Sequence, residues 1–335
     1  QDIILDQQLI RYDCLTVQAH VLMLYKTKLI DLDTTKGLLS CLEEIKALDR
    51  DRRFTLEKSL EDVHSNIEQY VQNRLWIERG GNIRLGIARN DQVYTDTRMF
   101  MRDKINGIAR HIVSLINTLL ALSREHTKTI MPGYTHLRIS QPITYSHFLS
   151  AKAYHFLDDL RNLLYDYDLI NKCPLGIVEM AGTHLPIDRT MVADYLGFAQ
   201  VSKHTLYTAD LRGELEVKLL CDLSLLMLHT RRSVQELIIF STHEFGMIEI
   251  DDIYTTGGTA QPNLRNPDTL EVIRANCPKV YARLFETLSI MDVLTSGYNR
   301  DTQETKPPLF EAIEIVEKIL PVFQGIMGSS RPNAE

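Results

Sequence analysis

Three polar stretches hold the residues whose types and spacing could do chemistry. Arg89-Asn90-Asp91-Gln92 sets a guanidinium beside two amides and a carboxylate. Tyr134-Thr135-His136 sets two hydroxyls beside an imidazole. The stretch 255–268 is rich in Gly, Thr, Asn and Pro and carries Thr259, Arg265 and Asn266. Arg is a charge-assisted, two-pronged donor to carboxylates. Imidazole takes and gives protons near neutral pH. Together these groups could bind carboxylates and move protons. Taken singly, each stretch is also explained by helix capping and loop hydrogen bonding.

The stretches interrupt long runs of helical periodicity, and those runs must position them. Apolar residues at three- and four-residue steps predict helices over 3–31, 34–48, 56–78, 91–125, 143–170, 209–245, 269–296 and 308–325. Thr34 or Thr35 is the expected N-cap of the second. Between 91 and 125 the apolar face is Ile105, Ile108, Ile112, Leu115, Ile116 and Leu119. Gly 16 and Pro 11 are few for 335 residues, which also favours helix. The expected fold is mainly α, a bundle of long helices joined by polar loops. Helices far longer than the usual ~11–12 residues carry apolar faces that copies of a chain can share, so a homo-oligomer is expected. The domain expectation is an N-terminal helical domain over 1–88, a central long-helix bundle over 89–325 and a short tail over 326–335.

Composition excludes several partners. Hydrophobic residues are 44% and charged residues 24%, with a net charge of −7. That field does not attract nucleic acid or an anionic membrane. No run of about 18 apolar residues and no secretory leader is evident, so the expected location is cytoplasmic. The five Cys, at 14, 41, 173, 221 and 277, show no CxxC pair, so reduced thiols are expected rather than disulfides or zinc. No HExxH spacing and no Gly-rich phosphate loop occurs, and no metal or organic cofactor is expected. His20, His64, His147 and His243 fall on helical segments, where a hydrogen-bonded core or interface role is the default.

Five segments in order resemble one family. They are Glu61-Asp62-Val63-His64, Arg89-Asn90-Asp91-Gln92 with Thr95-Asp96, Met131-Pro132-Gly133-Tyr134-Thr135-His136 with Gln141-Pro142, Ala181-Gly182-Thr183 with Pro186-Ile187-Asp188-Arg189, and Tyr298-Asn299-Arg300-Asp301 with Gln303-Glu304 and Lys306. They are similar to argininosuccinate lyase and its lens relative δ-crystallin, in the fumarase/aspartase superfamily. The resemblance runs from Asp6 to Phe310. It implies a fumarase/aspartase-type bundle whose subunits share a central helical core, and a homotetramer whose sites are built from three subunits. The implied reaction is β-elimination of argininosuccinate to arginine and fumarate, without a cofactor. Arg89 and Asn90 would bind the fumarate-side carboxylates, as would Thr135. His136 would assist proton transfer. Tyr298, Gln303 and Lys306 would hold the arginine-side carboxylate and amino group, and Asn266 a carboxylate from the mobile loop. Glu271 matches the family and equally suits a salt bridge. The family's small helical C-terminal domain is expected to be absent here, with 326–335 as its remnant tail.

The mobile loop departs from the family pattern Gly-Ser-Ser-x-Met-Pro-x-Lys-x-Asn-Pro-Asp. The first Ser, the usual base, falls on Gly258, and the Lys falls on Leu264. Thr259 stands at the second Ser and Arg265 one residue past the Lys, so these two are the expected catalytic substitutes beside His136. The alternative reading is a catalytically silent homologue, a structural or regulatory subunit or a dicarboxylate binder. A lyase for another succinyl-type substrate is the third reading, against which the arginine-side block stands.

Overall fold

The structure, a computed structural model, describes residues 2–333. Residues 334–335 of the expected tail lie outside the described residues. The helices are α1 (Asp2–Asp6), α2 (Ile10–Lys26), α3 (Leu32–Arg50), α4 (Val63–Gly80), α5 (Arg89–Glu125), α6 (Tyr145–Ile170), α7 (Arg189–Tyr195), α8 (Thr205–Asp210), α9 (Glu214–Phe240), α10 (Asp268–Met291) and α11 (Lys306–Ser329). The strands are short: β1 (Ile130–Thr135), β2 (Arg138–Thr144), β3 (Lys172–Cys173), β4 (Gln200–Val201), β5 (Ile248–Glu249) and β6 (Arg331–Pro332). The chain is mainly α, as its periodicity requires.

Two compact units are interleaved along the chain. The first holds the described residues up to Asp103, with Tyr167–Glu216 and Thr287–Pro307. The second holds Lys104–Asp166, Val217–Glu286 and the described residues from Pro308 onward. The consecutive stretches 1–88, 89–325 and 326–335 cut across this division, because α5 contributes to both units.

In the first unit α2, α3 and α4 pack on one another. Their core is Leu9, Ile10, Val17, Val21, Leu38, Leu42, Ile45, Val63 and Val71, all at 0–1% exposure. Removing these apolar groups from water at ~25 cal/mol per Å2 is the main stabilising term. α3 starts earlier than Thr34, because Asp31 is its cap and accepts from Thr34 N at 2.7 Å. Asp62 likewise caps α4 by accepting from Ser65 N at 2.7 Å, so the helix expected from 56 begins at Val63. The helix expected over 209–245 is broken at Gly213, whose φ is +92°. That backbone conformation strains any side chain and favours glycine, and the Met291 thioether fills the space beside it.

In the second unit the core is the C-terminal part of α5 (Ile105, Ile108, Ile112, Leu115, Leu119), Leu149 and Phe156 of α6, Leu219, Leu223 and Leu226 of α9, Val280 of α10, and Val316, Leu320 and Phe323 of α11. α5 is long and apolar enough to cross a membrane by length and composition alone. Ile105, Ile108, Ile112, Leu115 and Leu119 are taken up by this packing, while Ile116 is half-buried and Val113 and Leu120 stay exposed. The interruption at 131–142 is an antiparallel hairpin of β1 and β2. His136 and Leu137, with φ of 52° and 59°, make its two-residue turn. All five cysteines are free thiols.

His20 is 1% exposed, and its Nε2 lies 2.8 Å from Leu85 O, holding the loop that leads into α5. Burial pushes its pKa down to about 4, against the pull of that carbonyl. The folded value lies below the unfolded one, so this stability is present above pH ~6.5 and lost as pH falls through about 4. Denaturant unfolding at pH 7, 5 and 4 should show a loss of up to about 3 kcal/mol that His20→Gln removes.

Candidate functional site

The first unit contains a cavity of about 390 Å3 at the N-terminal ends of α5 and α11. Arg89, Asn90, Tyr298, Gln303 and Lys306 all line it. Arg89 and Asn90 open α5, and Lys306 opens α11. Helix N-termini carry free N–H groups and a positive dipole end, which suits an anionic ligand. Five of the ten expected site residues therefore converge, across more than 200 residues of sequence.

Each of the cavity's cations is held by an acid. Arg89 Nη1 pairs with Glu61 Oε2 at 2.5 Å, and its Nη2 donates to Ser65 Oγ at 2.8 Å. Asn90 Nδ2 donates to Glu179 Oε2 at 2.6 Å. Arg300 Nη2 lies 3.1 Å from Glu61 Oε1. Lys306 Nζ donates to Asp6 Oδ1 at 2.8 Å, and both residues are buried. Asp6 Oδ2 also accepts from Val63 N at 3.3 Å. The Arg212 guanidinium lies over the Tyr298 ring at 5.5 Å. The acids Asp6, Glu61, Asp62 and Glu179 and the cation Arg300 were not among the expected site residues. Glu61-Asp62 stood in a matching segment, but nothing around Glu179 marked it.

Asp91 supports this wall. Its Oδ1 accepts from Ala88 N at 2.9 Å, and its Oδ2 from Gly176 N at 2.7 Å and Val178 N at 2.9 Å. Burial pushes this carboxyl up to about 7, against the pull of those three N–H groups. The bonds fix the chain just before Glu179. Val178 is held at φ 58°, a left-handed conformation that a β-branched residue adopts only under constraint.

Behind the cavity wall His64 meets Asp13, with Nδ1 3.0 Å from Oδ1. Burial is the largest influence and lowers the imidazole pKa, but the charge and contact of Asp13 together with the charges of Asp62 and Asp6 outweigh it, so the net shift is upward. Burial and the Asp13 charge together hold the Asp96 carboxyl well above the usual range. Burial acts upward on Asp62 too, but His64 and the Ser65 N–H outweigh it and its pKa is lowered. His64 was expected to be a hydrogen-bonded core histidine; neither ring nitrogen has an aligned hydrogen-bond partner among the described residues.

The other five expected residues lie in the second unit. Thr135 and His136 stand exposed at the hairpin tip. Tyr134 anchors the hairpin, its ring 5.9 Å from Phe240 and 5.7 Å from Phe245. Thr259, Arg265 and Asn266 belong to the 255–268 loop. Asn266 closes the loop base through reciprocal backbone bonds with Thr256 at 2.9 and 3.0 Å. Arg265 Nη1 pairs with Glu249 at 2.9 Å and its Nε with Asp252 at 2.9 Å. A Cβ on Gly257 would meet Pro262 O at 2.7 Å. At Gly258 the nearest atom would be Gln261 O at 3.5 Å, an ordinary contact. Glu271 pairs with Arg274 at 3.3 Å, the salt-bridge role. Arg84 pairs with Glu68 at 2.5 Å.

This helical fold is shared with solved structures of the fumarase/aspartase superfamily. EDDS lyase in complex with formate superposes with a TM-score of 0.87 at 23% identity, over 98% of this chain and 64% of that one. Class II fumarase from Schistosoma mansoni gives 0.86 at 15% identity, over 98% and 77%. The chain thus spans less than two thirds of EDDS lyase's length, and both likenesses define the fold. A family model described as "Lyase" matches residues 15–282. The argininosuccinate lyase of Ruminiclostridium cellulolyticum is 38% identical over 330 residues, 98% of this chain and 72% of that protein. The chain belongs to the argininosuccinate lyase family.

The Asp6–Lys306 pair gives this wall a stability test. Lys306→Met leaves a buried carboxylate uncompensated and should cost about 3–5 kcal/mol in urea unfolding. Adding Asp6→Asn in that background should recover part of the loss, because no unpaired charge then remains.

Proposed function

We propose that this chain is an argininosuccinate lyase-like carbon–nitrogen lyase that splits argininosuccinate into arginine and fumarate, in arginine biosynthesis. The observation that carries the reading is the cavity where Arg89, Asn90, Tyr298, Gln303 and Lys306 converge. Its cations are paired with acids and Glu179 with the Asn90 amide, so a ligand carrying both signs can replace those contacts without stranding a charge. Argininosuccinate is such a ligand, with three carboxylates, an amino group and a guanidinium. Arg89 and Asn90 take the fumarate-side carboxylates. Tyr298, Gln303 and Lys306 take the arginine-side carboxylate and amino group.

In the reaction a base removes a proton from the carbon next to a carboxylate. The electron pair spreads first into that carboxylate, giving an aci-carboxylate dianion, and then forms the new C=C bond as the C–N bond breaks and an acid protonates the leaving nitrogen. Thr259 is the proposed base, His136 assists the proton transfer, and Thr135 and Asn266 bind carboxylate. Arg265 supplies positive charge to the dianion. In the proposed homotetramer these residues come from other copies of the chain. The named relatives, argininosuccinate lyases, support this assignment. The free thiols agree with a cytoplasmic location. Nucleic acid and membrane are not partners in this reading.

A second reading has a specific observation behind it. Gly258 and Leu264 carry no base and no charge, and Arg265 is held by Glu249 and Asp252. A silent binder of argininosuccinate fits those facts.

Fumarate release, followed by its ultraviolet absorbance, separates the two. The natural chain should turn over argininosuccinate, and Thr259→Ala should abolish it. Gly258→Ser with Leu264→Lys should raise kcat by about 10²–10³, the worth of one electrostatic donor. Turnover only in the double variant would establish the silent binder. No turnover in either, with no argininosuccinate binding by calorimetry, would overturn both.

A further inference from the structure

Behind the cavity lies a second polar cluster that the proposed elimination does not use. Asp13 of α2, His64 of α4 and Asp96 of α5 each offer one ligand atom, all within 4.8 Å of one another. His64 Nδ1 is 3.0 Å from Asp13 Oδ1 and 3.9 Å from Asp96 Oδ2. Both carboxylates are fully buried, and His64 is 4% exposed.

Neighbours satisfy only part of this set. The Thr16 hydroxyl donates to Asp96 Oδ1 at 2.5 Å. The Gln92 amide donates to Asp13 Oδ1. Asp13 Oδ2, Asp96 Oδ2, Gln92 Oε1 and both ring nitrogens of His64 have no hydrogen-bond partner among the described residues. One such buried orphan costs ~1–3 kcal/mol. Five at one place call for an occupant.

We propose that Asp13, His64 and Asp96 hold a divalent first-row transition-metal cation of the zinc class, which ties α2, α4 and α5 together. Two carboxylates cancel the double positive charge, and the imidazole binds as a neutral ligand. At metal–ligand bonds of ~2.0–2.2 Å, tetrahedral donors stand about 3.4 Å apart. The two observed nitrogen–oxygen separations bracket that spacing. One nitrogen and two oxygens suit zinc or cobalt(II), whereas calcium needs about 6–8 oxygens. Gln92 Oε1, one helical turn before Asp96, is a neutral oxygen available as a fourth donor. Thr16 and Gln92 orient the carboxylates from behind, as outer-shell partners of metal ligands do. The ion has an entry path, because His64 lines the cavity while Asp13 and Asp96 do not.

The test uses the full chain, stripped with a chelator and titrated with cobalt(II). The expected result is visible d–d absorption saturating at about one equivalent per chain, with a raised Tm on binding. Asp96→Asn should weaken binding at least about 10-fold. X-ray absorption of the zinc-loaded protein should show one imidazole nitrogen among oxygens. No d–d band, a band unchanged in Asp96→Asn, sulfur ligation, or no Tm rise would overturn the proposal and leave shared protons as what holds the cluster. If Asp96→Asn does not fold, His64→Gln at the cavity wall serves in its place with the same two outcomes.

Discussion

The buried ion pair between Asp6 and Lys306 is the constraint on which the cavity depends. The partners are 300 residues apart in sequence and meet at 2.8 Å. Lys306 is the first residue of α11, where the helix dipole disfavours a cation. Asp6 is the last residue of α1 and offsets that penalty. Its second oxygen accepts the first N–H of α4. One carboxylate therefore fixes the starts of two helices that wall the same cavity. A buried pair of this kind is weak as a stabiliser over an apolar replacement. Its value here is positional: it keeps an ammonium at the cavity surface while its neighbours are apolar core.

Much of the fold was legible because helices announce themselves by period. Of the expected face, Ile105, Ile108, Ile112, Leu115 and Leu119 are fully or almost fully buried, and Ile116 at its edge is half-buried. Boundaries were less legible. Period alone ran through Gly213, because the apolar pattern resumes on the far side of the break. The decisive fact there is the left-handed backbone of Gly213, which an apolar period does not report. The hairpin at 130–144 was read only as an interruption. Its strands are short and mostly exposed, so they lack the clean alternation that marks a half-buried strand. Its turn is His136-Leu137 rather than a glycine pair, so it also lacks the usual hairpin signal.

The site was legible in its cations and amides and illegible in its acids. Arg89, Asn90, Tyr298, Gln303 and Lys306 sit in multi-residue blocks that resemble a family, and they line one cavity. Glu179 sits in no such block. It reaches the cavity because Asp91 binds the N–H groups of Gly176 and Val178 and sets the chain just before it. That dependence is tertiary, and no local pattern encodes it. His64 shows the converse. Its position on a helix suggested a satisfied core histidine, but its surroundings supply carboxylates without aligned hydrogen bonds.

The 255–268 loop separates what the backbone requires from what the chemistry requires. Gly257 is architectural, since any side chain there would collide with Pro262 O. Asn266 closes the loop base through backbone bonds to Thr256, which do not require asparagine. Gly258 is not architectural, because a Cβ at that position meets only ordinary contacts. The absence of a hydroxyl at 258 is therefore not imposed by the fold. The same holds for Leu264, which is 37% exposed and packs into no core that demands leucine. Arg265 carries the charge nearest the position of the missing lysine, yet two carboxylates already hold it. For that charge to act on a substrate dianion, the anion must outcompete Glu249 and Asp252. Both are more than half exposed, so water and salt weaken their hold. A doubly charged intermediate in a closed, water-poor site competes on far better terms. In the proposed reaction the cost of recruiting Arg265 is thus set by how far water is kept from the dianion rather than by the strength of the pairs it must leave.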